Sequence, residues 1–418
     1  MKLWEYLREK IKPYSERVAF ADSGITYGEL LSWGNNAGGE KRLQVCKGGT
    51  REEQALAILK CLAGGAAVVP VSLDYGLKQY NYICETVKDA GQVSDDTAFV
   101  MFTSGTTGTP KGVVLTDKNI VANLEYIASY FRLEGMKSIC IARPLVHIAV
   151  LTGELLYGLV SGLTIYFYEE SFMPARLANF LSEKEIDVFC ATPTLYAALV
   201  RSVKGKPLPV KTAAVSGERL TEAAARQLSE ALPQTAFYNV YGLTEHSPRA
   251  SALLPEEFVK KAGSVGKPIG AVKMKIEKGE LLLKSPCVMK GYYLDEARTK
   301  EKIRRRWLYT GDMAHTDEEG YYYIDGRKDD MIIRAGVNIF PQEIEIEAKK
   351  CAGVHDCVVY GEREEHMGEM ICLKYEGSIP PEWLWTYLVR NLPPYLVPNR
   401  IKKVEKLETT ASGKKIRR

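Results

Sequence analysis

The sequence predicts an α/β protein with a large N-terminal domain of layered α/β subdomains and a small α+β domain at the C-terminal end. Short apolar runs alternate with helical patterns over residues 50–240, which is typical of parallel strands covered by helices. After about residue 270, glycine turns separate the runs, which indicates antiparallel strands. A chain of 418 residues is also longer than one hydrophobic core usually serves. We therefore expect one domain over residues 1–328 and a second over residues 329–418.

Capping residues and apolar runs predict where the individual elements lie. Thr50 and Glu53 have the spacing of a capping box, so a helix is expected from there to the glycine pair at 64–65. The apolar run at 98–102 predicts a buried strand, and a helix is expected from Asp117. Further strands are predicted at 68–71, 186–189, 212–215, 236–240 and 357–360, antiparallel strands within 273–284 and 320–325, and helices at 341–350 and 381–391.

The charge balance and the cysteine pattern exclude several classes of protein. The 56 basic and 52 acidic side chains leave a net charge of +4, which is too even to favour a nucleic acid or a membrane surface as partner. Nine dispersed cysteines without a CxxC pair predict reduced thiols rather than a metal site. No apolar stretch approaches the roughly 20 residues that span a bilayer. We therefore expect a soluble, cytoplasmic protein.

The strongest functional signal is the run TSGTTGTPKG at residues 103–112, directly after the predicted strand at 98–102. Its glycines let backbone N–H groups close around an anion, and its hydroxyl groups add further donors. Lys111 supplies positive charge for phosphate oxygens. A Walker A loop is excluded, because that motif needs glycine directly before the lysine and position 110 is proline. The residues expected to contact phosphate are Thr103, Ser104, Gly105, Thr106, Thr107 and Lys111.

This run resembles the phosphate loop of the acyl-adenylate-forming superfamily, which includes acyl-CoA synthetases, adenylation domains of peptide synthetases and luciferases. Other segments resemble motifs of the superfamily in the same order, from about residue 25 to the C-terminal end. The resemblance implies that the protein uses ATP and Mg²⁺ to convert a small carboxylic acid into acyl-AMP with release of pyrophosphate. The acyl group would then pass to the pantetheine thiol of CoA or of an acyl or peptidyl carrier protein.

The run YGLTE at residues 241–245 resembles the second nucleotide motif of the superfamily. The resemblance implies that Tyr241 and Gly242 lie at the nucleotide, and an aromatic ring is suited to stack on adenine. Thr244 would donate a hydrogen bond to the α-phosphate. Glu245 would hold Mg²⁺, which prefers oxygen ligands.

Three further segments resemble nucleotide-binding motifs of the superfamily. Gly217 and Glu218, in the run SGER, resemble the loop that borders adenine. Asp312, in YTGD, corresponds to the ribose-binding residue, since a carboxylate can accept hydrogen bonds from both ribose hydroxyls. Arg327, in GRKDD, would reach the nucleotide.

The resemblance also assigns roles to the small domain, which in the superfamily is mobile. Asp329 would be the hinge about which this domain turns. Gly336 would let pantetheine approach the backbone closely in the thioester step. Lys414, in TTASGK, would be the catalytic lysine, whose ammonium neutralises charge that builds on the α-phosphate. Lys415 is an adjacent alternative, although the register after Gly413 favours Lys414.

His147 lies in the run RPLVHIA, which resembles the acyl-pocket motif of acyl-CoA synthetases. The resemblance places its side chain beside the substrate carboxylate. Amino-acid-activating relatives commonly have an aspartate at the next position, where this chain has Ile148, and a buried ammonium without a carboxylate would be costly. An α-amino acid substrate is therefore disfavoured. An apolar acid is favoured by the neighbours of His147, which are Val146, Ile148, Val150 and Leu151.

The chain departs from the superfamily in its first hundred residues, because the run at 103–112 begins several dozen residues early. The N-terminal domain is therefore expected to be shortened before residue 103, which favours a carrier protein slightly over CoA as acceptor. Two alternatives are a non-catalytic nucleotide-binding paralogue of the same fold and a stand-alone amino-acid-adenylating enzyme. The first is disfavoured because the residues whose loss would support it are present, namely Lys111, Glu245, Asp312 and Lys414.

Overall fold

A computed structural model of the chain describes residues 1–34, 42–72, 75–89, 93–103, 110–203, 207–334, 337–364, 368–409 and 415–417. The α-helices in these residues are α1 (Leu3–Ile11), α2 (Tyr27–Ser32), α3 (Arg51–Ala63), α4 (Leu77–Asp89), α5 (Asp117–Ala128), α6 (Ile148–Val150), α7 (Tyr157–Val160), α8 (Pro174–Glu183), α9 (Pro193–Val203), α10 (Glu222–Ala231), α11 (Glu296–Lys302), α12 (Pro341–Lys350) and α13 (Pro381–Asn391).

The strands are β1 (Leu43–Cys46), β2 (Ala67–Pro70), β3 (Thr97–Thr103), β4 (Lys111–Thr116), β5 (Ser138–Ile141), β6 (Thr164–Phe167), β7 (Val188–Ala191), β8 (Thr212–Val215), β9 (Ala236–Gly242), β10 (Arg249–Leu253), β11 (Ser264–Pro268), β12 (Lys273–Glu277), β13 (Glu280–Lys284), β14 (Gly291–Tyr292), β15 (Ile303–Arg304), β16 (Trp307–Thr316), β17 (Tyr322–Arg327), β18 (Ile332–Arg334), β19 (Val337–Ile339), β20 (Val354–Glu364), β21 (Gly368–Gly377) and β22 (Arg400–Lys403).

Local sequence explains the ends of several of these elements. Helix α3 begins at the predicted capping box, where the Thr50 hydroxyl accepts from the Glu53 amide and the Glu53 carboxylate accepts from the Thr50 amide at 3.2 Å. The helix ends before Gly64, as expected. Helices α12 and α13 match the predicted ranges, and each begins at a proline, which lacks the N–H that a first helical turn leaves unpaired. Strand β7 starts later than predicted, at Val188, because the Asp187 carbonyl instead accepts from the amides of residues 211 and 212.

Two compact units are formed by the chain. The first comprises Met1–Lys275, Leu282–Tyr309 and Thr316–Tyr323, and the second comprises Ile276–Leu281, Thr310–His315 and Ile324–Arg418. The chain therefore passes from one unit to the other within β12, β13, β16 and β17. The second unit contains the whole predicted C-terminal domain together with shorter preceding segments. The domain boundary at Asp329 and the shortening before residue 103 stay predictions.

Parallel strands make up the centre of the first unit, as the sequence predicts. Strands β5, β6, β7, β8 and β9 pair in parallel in the order β6-β5-β7-β8-β9. Every residue of β7 and β8 is buried. A second sheet has the order β1-β2-β3-β4-β14, with β1, β2 and β3 parallel and the last two strands antiparallel to their neighbours.

The second unit has the α+β architecture that the sequence predicts. Strands β19, β18, β21 and β20 form an antiparallel sheet, and β22 adds to β21 in parallel. Helices α12 and α13 supply Ile344, Leu384 and Leu388 to a core that also contains Val359 and Leu373 of the sheet. Burial of these apolar side chains is the main source of stability for such a small unit.

The sequence also led to expectations about membrane-spanning helices and about the state of the cysteines. Within the described ranges, no helix combines the length and the apolar character that crossing a bilayer requires. All nine cysteines are free thiols, and most of them are buried.

We expect Thr50→Ala to lower the free energy of unfolding by about 1 kcal/mol, because it removes the acceptor of the Glu53 amide at the start of α3. Calorimetry should show a decrease of roughly 2 °C in the melting temperature of the first unit. Thr86→Ala is the matched control, because the Thr86 hydroxyl donates to the Tyr82 carbonyl inside α4 rather than at a helix start. Equal decreases in both variants would contradict the role of the cap.

Candidate active site

A β-hairpin holds the two ends of the run that is predicted to bind phosphate. Strands β3 and β4 pair antiparallel with Thr103 opposite Lys111. The Thr103 hydroxyl donates to the Lys111 carbonyl at 3.5 Å. The ends of the connecting segment are therefore held side by side. The other residues predicted to contact phosphate lie outside the described residues and stay predictions: Ser104, Gly105, Thr106 and Thr107.

A tyrosine connects Lys111 with Glu245. Strand β14 pairs with β4, which places Tyr292 beside the start of β4. The Lys111 ammonium nitrogen lies 5.1 Å from the centroid of the Tyr292 ring, within cation–π distance. The Tyr292 hydroxyl donates to Glu245 Oε1 at 2.8 Å. The structure thus brings together the predicted phosphate lysine and the predicted magnesium ligand through a residue that the sequence analysis missed.

The Glu245 carboxylate suits a magnesium ion that is shared with phosphate groups. It is half-buried, one of its oxygens is oriented by Tyr292, and the Glu245 carbonyl accepts from the Met289 amide at 2.9 Å. In the part of the chain that the structure describes, no group of three His, Cys, Asp or Glu side chains could enclose a metal ion. Mg²⁺ usually takes only one or two protein carboxylates and completes its shell with phosphate and water. The donor set therefore fits Mg²⁺ bound together with a polyphosphate.

The segment before Glu245 ends a parallel strand. Tyr241 and Gly242 close β9, and Thr244 opens a 3₁₀ turn, Thr244–His246. Gly242 needs its missing side chain, because a Cβ atom there would lie 2.0 Å from the Pro248 carbonyl oxygen. Tyr241 is half-buried.

Three predicted segments follow parallel strands of the same sheet. His147 follows β5, Gly217 follows β8, and the 241–245 run completes β9. Ligands of open α/β sheets bind outside the carboxyl ends of their strands. The strand order therefore places the predicted acid-binding and nucleotide-binding segments together at the carboxyl ends of the parallel strands, which the sequence alone could not show.

The predicted adenine border has a structural function as well. Gly217 has a φ of 87°, a conformation that favours glycine. Glu218 Oε2 accepts from the Thr194 amide at 3.2 Å and from its hydroxyl at 2.5 Å. Glu218 thereby caps the first turn of α9, where a negative charge is stabilising. Its contact with adenine stays a prediction.

His147 begins the helical stretch that follows β5. Its side chain is exposed, and its carbonyl accepts from the amides of Val150 and Leu151 at 2.9 and 3.0 Å. The apolar neighbours Ile148, Val150 and Leu151 are buried. The side chain of His147 is therefore accessible, while Ile148, Val150 and Leu151 are packed in the core.

A buried ion pair lies in the same segment, and the sequence analysis missed it. Arg143 Nη2 donates to Glu154 Oε1 at 2.5 Å. The Glu154 side chain is fully buried and that of Arg143 is 15% exposed. Burial raises the pKa of the Glu154 carboxyl, although Arg143 opposes this shift. The sequence signal was present, because these are isolated charges in an otherwise apolar stretch.

The predicted ribose residue and the predicted nucleotide arginine meet within the second unit. Arg327 Nη1 donates to Asp312 Oδ1 at 2.9 Å. A further carboxylate, Glu280, supports the turn before Asp312 by accepting from the Gly311 amide at 3.0 Å and from the Lys328 ammonium at 2.9 Å. Glu280 is not among the site residues predicted from the sequence. This network orients one carboxylate and one guanidinium group on neighbouring strands.

Lys415 and Arg417 are held by contacts with strand β20 and helix α12 of the second unit. Lys415 forms an ion pair with Asp356 and donates to the Cys357 carbonyl at 3.0 Å. Arg417 donates to Glu345 Oε1 at 2.5 Å and to Oε2 at 3.1 Å. These contacts favour a structural role for Lys415. Lys414 and Gly336 lie outside the described residues, and Asp329, in the turn Lys328–Asp330, stays a predicted hinge.

Family models match both parts of the chain. The model described as AMP-binding enzyme matches residues 85–293, and the model of the AMP-binding enzyme C-terminal domain matches residues 343–414. The first match contains the hairpin run and Glu245, and the second extends to Lys414.

Curated relatives of the chain are acid–CoA ligases. Feruloyl-CoA synthase of Amycolatopsis sp. is 28% identical over 98% of this chain and 96% of its own length. The 2-succinylbenzoate–CoA ligase of Oceanobacillus iheyensis is 30% identical over 77% of this chain and 69% of its own length. The long-chain-fatty-acid–CoA ligase of Bacillus subtilis is 32% identical, but the chain spans only 61% of its length.

Solved structures confirm the predicted fold class. The o-succinylbenzoate CoA synthetase of Bacillus subtilis, in complex with its acyl-adenylate intermediate, superposes with a TM-score of 0.87 at 24% identity, covering 100% of this chain and 97% of the other. The ATP-bound MatB of Rhodopseudomonas palustris gives a TM-score of 0.86 at 21% identity, over 99% and 97% of the two chains.

We expect Tyr292→Phe to weaken the binding of MgATP about tenfold, because a hydrogen bond to a charged group contributes roughly 1.5–3 kcal/mol. The ring beneath Lys111 is kept, while the hydrogen bond to Glu245 is removed. Calorimetric titration with a non-hydrolysable ATP analogue in the presence of Mg²⁺ measures the change. Tyr293→Phe is the matched control, because the buried Tyr293 hydroxyl has no hydrogen-bond partner among the described residues. Unchanged affinity in Tyr292→Phe would reject the positioning role.

The ion pairs of Asp356 make the second unit sensitive to acid. Burial tends to raise the pKa of Asp356, but hydrogen bonds from Lys349 and Lys415 outweigh it, so the pKa lies below its usual value. The unfolded chain then binds the proton more readily, and the stabilisation is present at neutral pH and lost as the pH falls through about 4 and below. We expect Asp356→Asn to lower the melting temperature at pH 7 and to differ less from the unmodified protein at pH 3. A difference of equal size at both pH values would be the contrary result.

Proposed function

Because this chain belongs to the AMP-binding enzyme family, we propose that it is an acid–thiol ligase that activates a carboxylic acid with ATP and transfers the acyl group to a thiol. The observation that carries the proposal is the contact series from Lys111 through Tyr292 to Glu245. A cation and a magnesium-type carboxylate that contact the same tyrosine suit a polyphosphate. A protein that used the fold only as a scaffold would have no need of that arrangement.

In the first half-reaction, a carboxylate oxygen of the acid attacks the α-phosphorus of ATP. The bond from phosphorus to the pyrophosphate oxygen breaks, and the acyl-AMP anhydride forms. Lys111 neutralises phosphate charge, and Thr244 donates to the α-phosphate. Glu245 would hold Mg²⁺, which would neutralise further phosphate charge. Lys414 stabilises the negative charge that develops on the α-phosphate, where electrostatic stabilisation has its largest effect.

The ribose would be bound by Asp312. The Asp312 carboxylate has one oxygen on Arg327, and a carboxylate can accept further hydrogen bonds from hydroxyl groups. Arg327 orients Asp312 through a charged hydrogen bond, since a guanidinium ion stays protonated throughout the physiological range. Loss of either side chain is therefore expected to weaken nucleotide binding.

In the second half-reaction, the thiol sulfur attacks the carbonyl carbon of the anhydride, AMP leaves, and the thiol proton passes to solvent. Asp329 serves as the hinge and Gly336 admits the pantetheine arm. His147, exposed at the start of its helix, lies beside the acid carboxylate. We propose CoA as the acceptor, because the relatives described above are CoA ligases and feruloyl-CoA synthase matches almost the whole chain.

The proposed acid–thiol ligase activity indicates the class of substrate and the cellular location of the enzyme. We propose a small carboxylic acid that is not an α-amino acid as substrate, since Ile148 is buried where a carboxylate would be needed. A carrier protein remains the alternative acceptor. We place the enzyme in the cytoplasm, where ATP and CoA are available.

The proposed function is tested by ATP–pyrophosphate exchange with a panel of carboxylic acids. We expect exchange with at least one acid that is not an α-amino acid, and formation of its acyl-CoA, detected by mass, when CoA is added. Pyrophosphate exchange without formation of acyl-CoA would indicate that the acceptor thiol belongs to a carrier protein and not to CoA. Exchange with α-amino acids alone would support the amino-acid-adenylating alternative, and ATP binding without any exchange would support a non-catalytic paralogue.

We expect Lys414→Ala to reduce pyrophosphate exchange by about 100-fold or more, because the charge developing on the α-phosphate loses its counter-ion. Lys415→Ala is the matched control. It removes the ion pair with Asp356 and should lower the melting temperature while most of the exchange activity is kept. The reverse pattern, with activity lost only in Lys415→Ala, would assign the catalytic role to the other lysine.

A further inference from the structure

Two cysteines that are separated in the sequence meet in the first unit. Cys46 is the last residue of β1, and Cys61 lies in the last turn of α3. Their sulfur atoms are 3.4 Å apart, which allows a hydrogen bond between the two thiols. Neither cysteine has a role in the proposed ligase reaction, so this contact is independent of the candidate active site.

The position of Cys46 relative to α3 is fixed by a second contact. The side-chain amide of Gln54 donates to the Cys46 carbonyl at 3.0 Å and to the Val71 carbonyl at 2.6 Å. Gln54 precedes Cys61 by about two helical turns, so both side chains lie on the same face of α3. Helix α3 therefore contacts Cys46 through both its carbonyl oxygen and its sulfur atom, and the packing of the helix on β1 holds the two thiols together.

The two thiols differ in exposure and in acidity. Cys46 is 3% exposed, whereas Cys61 is partly exposed. The hydrogen bond with Cys46 lowers the pKa of the Cys61 thiol, although burial opposes this shift. The same hydrogen bond, together with burial, raises the pKa of the Cys46 thiol. Cys61 is therefore the thiol that ionises more readily and that solvent can reach, and both properties favour reaction with oxidants.

We propose that Cys46 and Cys61 form a redox-sensitive pair, which a hydroperoxide converts into a disulfide that links β1 to α3. Strand β1 stands at the end of the described sheet order β1-β2-β3-β4-β14, so the bond would fasten an edge strand to the helix that packs on it. Disulfides in cytoplasmic proteins are usually transient and often sense oxidants. The reaction needs neither nucleotide nor acid, so the inference does not depend on the proposed function.

Two thiols and one molecule of hydrogen peroxide give one disulfide and two molecules of water. In the first step, the Cys61 thiolate sulfur attacks a peroxide oxygen and the O–O bond breaks. The leaving hydroxide takes up the proton that the Cys61 thiol has lost, and Cys61 becomes a sulfenic acid. In the second step, the Cys46 sulfur attacks the Cys61 sulfur, and the S–O bond breaks. The second hydroxide leaves as water with the Cys46 proton. A dithiol reductant reverses the oxidation by thiol–disulfide exchange.

The test treats the folded protein with hydrogen peroxide and then blocks the remaining thiols with iodoacetamide. Trypsin places Cys46 in the peptide 43–47 and Cys61 in the peptide 61–78. We expect mass spectrometry to show these peptides joined, with a mass about 2 Da below the sum of the two thiol peptides, because two hydrogens are lost. Dithiothreitol should separate them. Oxidation should also raise the melting temperature of the first unit by about 3 °C or more, because the bond restricts the unfolded chain.

Serine variants separate the roles of the two thiols. In Cys46→Ser, oxidation should stop at the sulfenic acid of Cys61, which dimedone traps as an adduct that mass spectrometry detects. In Cys61→Ser, several-fold less adduct is expected, because the remaining Cys46 thiol is buried. Cys84→Ser is the matched control. It changes another partly exposed cysteine, on α4, and should leave the bond between the peptides 43–47 and 61–78 unaffected.

Two results would overturn the inference. The first is that the two peptides stay separate while glutathione in the same sample is oxidised, which shows that the peroxide was active. The second is that the disulfide forms no faster in the folded protein than in protein unfolded by urea, since the folded geometry would then contribute nothing. We expect formation to be at least about 10-fold faster in the folded protein, because the thiols are held in contact. Pyrophosphate exchange tests the proposed function separately, and its absence would leave this measurement valid.

Discussion

The antiparallel pairing of β3 with β4 is the constraint on which the nucleotide-binding part of the first unit depends. It sets Thr103 opposite Lys111, so the segment between them is closed at its base. In a paired strand, a shift of one residue would turn Lys111 to the other face of the sheet. Gly112 allows the close packing that this register needs, because a Cβ atom there would lie 2.9 Å from Val100 Cγ1. The free edge of β4 then receives β14, which brings Tyr292 to the lysine.

In the second unit, ion pairs rather than strand register fix the positions of the predicted nucleotide-binding side chains. Glu280 holds the turn before Asp312, and Asp312 in turn holds Arg327, so each group has a fixed orientation before any ligand binds. At the C-terminal end, Thr409 and Lys415 are joined by an antiparallel bridge.

The sequence by itself determined the class of chemistry, the α/β fold class and the ends of several elements. The capping box at Thr50, the prolines that begin α12 and α13, and the buried run of β3 were all readable, because each depends on residues a few positions apart. The glycine- and hydroxyl-rich run at 103–112 was readable for the same reason. A short sequence pattern is sufficient to predict a structural feature when the interactions that produce this feature are between residues close together in the chain.

Only the tertiary structure decided which distant residues meet. Tyr292 contacts both Lys111 and Glu245 because of the strand order. The residues next to Tyr292 in the sequence give no indication of these contacts. The apolar run after β5 predicted apolar neighbours for His147, whereas a π-helical turn in this run contains Glu154, which forms a buried ion pair with Arg143. Such contacts depend on sheet register and helix geometry over many residues. The partner of a buried charge can therefore be identified only from the folded structure.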